Sequence, residues 1–247
     1  MSNNIKIDDL ANPILTEFQQ AAKDYGEKLK IDLHSEAIIN EACKNSGLQD
    51  FGDEDFILRL DVLMRLVSND EGLAGIGKLG IFNDQVRYLE NRLKFQKFKK
   101  KFPEYQDEII SKPIIIIGLP RSGTTHLLNL IASDSRLKSL PYWESLRPFQ
   151  ETILNLDNKT DSRQEEAFKE YESFLQTMPL LKSMHDMHPN HIHEEIELQA
   201  MDFSTYLPEW LAYVPEWRDY YLSHNQINHY QYLSLIHISE PTRRYAI

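Results

Sequence analysis

The sequence predicts a three-layer α/β fold, a parallel sheet with helices on both faces, behind a helical N-terminal region. Three observations carry this expectation. Ile114-Ile115-Ile116-Ile117, bounded by Pro113 and Gly118, is a run of β-branched residues of the kind buried on both faces in a parallel sheet. A turn with two glycines and a proline follows, Gly118-Leu119-Pro120-Arg121-Ser122-Gly123. From Thr124 the apolar residues Leu127, Leu128, Leu130 and Ile131 fall at helical spacing, with no Gly or Pro among them. Strand, glycine turn and helix in this order form the context of a phosphate-binding loop.

Composition bounds the rest. The chain has 247 residues, enough for one sizeable domain with a helical extension. A net charge of −11 makes the surface as a whole repel nucleic acid, though it leaves room for one local anion pocket. The single cysteine, Cys43, allows no disulfide within the chain, which fits a reducing compartment. The N-terminus lacks an apolar core of signal-peptide length, and no run approaches the ~20 apolar residues of a membrane span. A cytoplasmic enzyme is the expectation.

In chain order, residues 13–30 read as a helix, with Ile14, Leu15, Phe18, Ala21, Ala22 and Tyr25 near one face. Residues 35–45 read as a second, with Ser35 as N-cap and a stop before Gly47. Asp53-Glu54-Asp55 opens a third, whose apolar face is Phe56, Ile57, Leu60, Leu63, Met64 and Val67. Gly72, Gly75, Gly77 and Gly80 predict a kinked or looped segment. Residues 82–102 read as the longest helix before the loop, with Phe82, Val86, Leu89, Leu93 and Phe98 inward. Its outer face would be Arg87, Arg92, Lys94, Lys97, Lys99, Lys100 and Lys101, either a solvated face or a source of positive potential near the anion pocket. Beyond the loop, residues 162–178 and Glu194 to about Tyr206 read as helices. The aromatics from Trp210 onward read as core or as an apolar acceptor pocket.

The loop spacing is G-x-x-x-x-G-T-T, the frame of a nucleotide-binding P-loop with Thr124 where the lysine stands. Gly118 and Gly123 permit a tight turn and close backbone approach. Free amides at the helix start and the helix dipole favour an anion. Thr124 and Thr125 add hydroxyls, and Arg121 supplies a guanidinium able to hold an anion with two parallel bonds.

The segment G-L-P-R-S-G-T-T resembles the loop that binds the 5′-phosphosulfate end of PAPS in sulfotransferases. The bacterial-type family is matched further by Leu48-Gln49-Asp50-Phe51-Gly52, by Trp143-Glu144 with Arg147-Pro148, and by His188-Pro189-Asn190 ahead of Glu194-Glu195. The resemblance covers roughly residues 30–232. It implies sulfuryl transfer from PAPS to a hydroxyl or amine acceptor, without a metal. Gly118, Pro120, Arg121, Ser122, Gly123, Thr124 and Thr125 would bind the donor. It also implies that Arg121 offsets charge growing on the leaving phosphate. Either Glu144 or His188 would take the acceptor proton. The alternatives are a P-loop kinase or nucleotidase, disfavoured by the missing lysine, and a non-catalytic anion-binding module. A magnesium role for Thr125 would need a further carboxylate.

His185, His188, His191 and His193 lie within nine residues, but their spacing does not match a zinc pattern and no cysteine is near. From Ser234 to Ile247 the pattern breaks. Ser-Leu-Ile-His-Ile-Ser-Glu-Pro-Thr-Arg-Arg resembles translated sequencing-adapter read-through, and the family pattern calls for more chain. The expected organisation is therefore a helical region over 1–111, the first half of a P-loop sulfotransferase domain over 112–233, and a non-native tail over 234–247 that makes no consistent contacts.

Overall fold

The computed structural model describes residues 6–9, 11–104, 114–119, 121–137, 139–150 and 161–239. Among them the chain is helical. The elements are α1 (Glu17–Glu27), α2 (Ser35–Ser46), α3 (Phe56–Ser68), α4 (Gly75–Lys101), α5 (Thr124–Ala132), α6 (Tyr142–Leu146) and α7 (Arg163–Thr177). Five shorter or later ones follow: α8 (Leu181–Met184), α9 (Ile196–Ala200), α10 (Pro208–Leu211), α11 (Pro215–Ser223) and α12 (Ile227–Ser239).

The expected parallel sheet is absent from the described residues, where β pairing amounts to one antiparallel bridge between Pro141 and Ile192. A parallel strand exists only through its neighbours, which satisfy its amides and carbonyls and cover both its faces. No described segment pairs with Ile114–Leu119, and Ile115 and Ile117 are 73% and 90% exposed. Pro113 lies outside the described residues.

The N-terminal helices follow their local signals. A capping box opens α1: Thr16 Oγ1 accepts from the Gln19 amide at 3.2 Å, and Gln19 Oε1 accepts from the Thr16 amide at 2.9 Å. Helix α2 ends at Gly47, whose φ of 67° is left-handed. Its N-cap is His34, one residue earlier than expected; Ser35 instead donates its hydroxyl to Asp61 of α3.

Helix α4 departs from expectation at its start and along its outer face. The glycine cluster is helical from Gly75, because α1 and α4 cross there backbone to backbone. A Cβ on Gly26 would lie 2.2 Å from the Ile76 nitrogen, and one on Gly75 would lie 2.3 Å from the Gly26 carbonyl oxygen. Helix propensity gives way to that close approach.

Arg87, Arg92 and Lys94 are not on a solvated face. Arg92 and Lys94 are buried, and the Arg87 side chain is only 14% exposed. Arg92 donates to the carbonyls of Phe51 (3.0 Å) and Asp53 (2.6 Å) and to Asp202 (2.8 Å), and it stacks over Phe56 and Tyr232. Arg59 of α3 reaches the same Asp202 carboxylate at 2.9 Å. Two paired arginines are thereby accommodated inside. The Leu48–Gly52 segment is part of this structural joint.

Helix α4 is buried all round from residue 91 to 96 because it separates two cores. One gathers Leu60, Leu63, Met64, Leu89, Leu93, Phe203 and Trp217. The other gathers Phe95, Phe98, Leu140, Phe149, Leu198, Met201, Leu233 and Ile236. Ile236 is fully buried and Leu235 packs beside it, so the described part of the expected tail does make contacts; residues 240–247 lie outside the described residues. The helix expected over 194–206 contracts to α9. The chain breaks at Phe203, with φ of 52°, where the turn delivers Asp202 to the two arginines.

Candidate functional site: a glycine loop and its facing carboxylate

The loop is curled tightly against the start of α5. A Cβ on Gly118 would lie 2.6 Å from the Thr124 methyl and 2.8 Å from the Ser122 hydroxyl, so a side chain there would force the turn open. Gly123, the N-cap, has φ of 92°, which residues with a side chain rarely adopt. Arg121 is itself left-handed, with φ of 65°, a strain of about 1–3 kcal/mol of the sort that concentrates at functional sites.

The first bond within α5 runs from the Leu127 amide to the Gly123 carbonyl at 3.0 Å. The amides of Thr124, Thr125 and His126 therefore precede any intrahelical acceptor, and no side chain caps them. Arg121 is exposed, and its Nη1 donates to the Met184 carbonyl at 2.9 Å. Among the described residues it has no carboxylate partner, so its charge is available to an anion. Pro120 lies outside the described residues.

A second segment, residues 184–194, runs past this loop. Thr125 Oγ1 donates to Glu194 at 3.3 Å. Asn129, one turn further along α5, holds both backbone groups of Ile192. On its other side the segment meets the start of α6: the Tyr142 amide donates to the His191 carbonyl, the Trp143 amide to Pro189, and the His193 amide to Leu140. The Trp-Glu and His-Pro-Asn motifs are thus brought together, 45 residues apart in sequence.

Glu144 is buried on α6, at 5% exposure. The end of that helix is fixed from α4, where Arg87 Nη1 and Asn91 Nδ2 both donate to the Leu146 carbonyl. Arg163 of α7 stacks on Trp143 and donates to the Arg147 carbonyl, and Arg147 pairs with Glu170.

His188 is placed against α7. Its ring meets Phe168 and Tyr171 edge-on at 5.2 and 5.6 Å, and its Nδ1 accepts from the Asn190 amide. Nδ1 as acceptor leaves the proton of a neutral ring on Nε2. His193 packs on the Tyr142 ring, and burial lowers it to about 4, with His185 and His191 acting in the same direction and Glu194 against. Among the described residues no group of three His, Cys, Asp or Glu side chains is arranged to hold a metal ion.

The family model for the sulfotransferase family matches residues 113–245, which spans the loop, α6 and the facing segment. The chain belongs to the sulfotransferase family. The sulfotransferase fold is shared with two solved structures. Sulfotransferase STF9 from Mycobacterium avium superposes with a TM-score of 0.73 at 18% identity, over 87% of this chain and 55% of that one. Sulfotransferase STF1 from Mycobacterium tuberculosis H37Rv gives 0.64 at 23% identity, over 83% and 58%. The chain thus spans little more than half the length of either. No curated protein matches it. Among the described residues no helix is long and apolar enough to cross a membrane.

Glu194 is the group that sequence reasoning missed. It stood inside a matched motif without a role, because its contact with Thr125 spans 69 residues. Two consecutive glutamates following a His-Pro pair were the available signal.

Proposed function

We propose that the protein transfers a sulfuryl group from PAPS to a hydroxyl or amine acceptor. The observation that carries this reading is the double-glycine loop, with its uncapped helix-start amides and its Arg121 free of any carboxylate among the described residues, inside a sulfotransferase-family segment. The loop amides and the hydroxyls of Ser122, Thr124 and Thr125 hold the donor's 5′ end. The acceptor atom attacks sulfur, and the bond between sulfur and the bridging phosphate oxygen breaks. PAP departs with that electron pair, and Arg121 offsets the charge it gains.

The acceptor's proton goes to a carboxylate. Glu194 supports this role best, because it lies against the first turn of the helix whose start holds the donor. Glu144, buried on α6, and His188, held between Phe168 and Tyr171, are the other bases in play.

The Thr125–Glu194 contact also favours a second reading, since a carboxylate beside a loop threonine is what magnesium-dependent phosphoryl transfer requires. The deciding experiment offers the full-length protein labelled PAPS with a mixed hydroxyl and amine acceptor pool, and labelled ATP with magnesium in parallel. Label moving from PAPS, without EDTA sensitivity, is the expected result. Transfer from ATP alone, abolished by EDTA, assigns the kinase reading instead.

A further inference from the structure

A carboxylate beside an anion loop is repelled by the ligand that the loop holds. Glu194 therefore keeps its place only if its backbone is fastened independently of its own charge. The structure provides that fastening two residues earlier. Asn129 Oδ1 accepts from the Ile192 amide at 3.1 Å, and Asn129 Nδ2 donates to the Ile192 carbonyl at 3.2 Å. The same Nδ2 donates to the Thr125 carbonyl at 2.9 Å, which aligns the carboxamide along α5. A carboxamide offers an oxygen acceptor and two N–H donors; the oxygen and one N–H serve Ile192 as a neighbouring strand's peptide would, and the other N–H serves Thr125. On the opposite side, His193 donates to Leu140 and Tyr142 donates to His191, at 2.8 and 2.9 Å. Ile192 is thus held from both sides, by one side chain on the donor helix and by the backbone leading into α6.

We infer that Asn129 is a positioning residue for sulfuryl transfer, locking the segment that carries Glu194 to the helix that holds the donor. Asn129 touches neither substrate nor reacting atoms, and it acts through Glu194; the inference rests on the reading of Glu194 as the base. No other uncharged side chain of this length serves both backbone groups, since alanine serves neither and aspartate loses the donor.

A double-mutant cycle in the full-length protein tests this. Asn129→Ala should lower kcat by about 10–100-fold, the scale of a displaced catalytic group, with PAP affinity within about twofold of wild type. Added to Glu194→Gln, it should cause no further loss, because the group that it positions is already disabled. Hydrogen exchange at the Ile192 amide should speed up by about tenfold or more in Asn129→Ala. If that variant does not fold, Asn129→Asp takes its place in the cycle, keeping the acceptor and losing the donor. Additive losses in kcat, or unchanged Ile192 exchange, overturn the positioning role alone. A Glu194→Gln enzyme with wild-type kcat overturns the base and the positioning role together.

Discussion

The hydroxyl of Thr125 donates to the carboxylate of Glu194 at 3.3 Å, so one helical turn faces both the proposed anion site and the proposed proton acceptor. Sulfuryl transfer needs both functions within reach of one sulfur atom. Glu194→Gln should lower kcat by about 10²–10⁴-fold without weakening PAP binding, because a base acts in the transition state and its charge only repels the bound anion. Glu144→Gln, assayed alongside, separates the two carboxylates. A larger loss from Glu144→Gln at unchanged donor affinity would move the base to α6.

The crossing of α1 and α4 leaves no room for a methyl group. Gly26→Ala would place a Cβ 2.2 Å from the Ile76 nitrogen, against backbone that cannot rotate away. Overpacking of this kind costs about 1–3 kcal/mol, and contact with backbone puts this site at the upper end. Urea unfolding should show a lower midpoint at an unchanged slope. A midpoint equal to wild type would mean that the helices separate more easily than this contact implies.

Asp202 joins two cations, Arg59 of α3 and Arg92 of α4, and ties α12 to them through His229 Nδ1. Asp202→Ala leaves two arginines buried with part of their hydrogen bonding lost, which should destabilise the fold by about 3–5 kcal/mol. Replacing Arg59 and Arg92 by methionine in the same background should recover part of that loss, since no unpaired charge then remains. Denaturant titration of wild type and these two variants reads both effects.

His193 makes the fold sensitive to mild acid. Its native pKa is lowered to about 4, against an unfolded value near 6.5, so below pH 6.5 the unfolded chain binds the extra proton first. Stability from this group is complete above pH 6.5 and is lost as pH falls toward 4, by at most about 3 kcal/mol. Thermal melts at pH 7 and pH 5 should differ more for wild type than for His193→Asn. Equal differences would show that His193 is not the titrating group.

What was legible in the sequence is what neighbouring residues decide. The ends of α2, α3 and α7 fell within a residue or two of expectation, because periodicity and terminal residues act over a few positions. Arg87 and Arg92 read as an outer face, solvated or lending positive potential to the loop, because their partners, Glu197 and Asp202, lie 110 residues away. The four isoleucines read as a strand by side-chain type, yet pairing requires a partner that residue type does not supply. Gly75 read as a breaker because the need for it sits on another helix, at Gly26. In the site, the loop was visible as a motif, whereas Glu194 and Asn129 became visible only once Thr125 and Ile192 were placed beside them.

The most direct measurement is calorimetric titration of PAP into the full-length protein and its Arg121→Ala variant at fixed ionic strength. Arg121 has no carboxylate among the described residues to compensate its charge, so a bound phosphate should take it as a partner. Wild-type protein should bind PAP, and Arg121→Ala should bind about tenfold or more weakly, the scale of one lost charge-assisted hydrogen bond. Equal affinities in the two proteins, or no binding of PAP by the wild type, would contradict the assignment of the loop as the donor site.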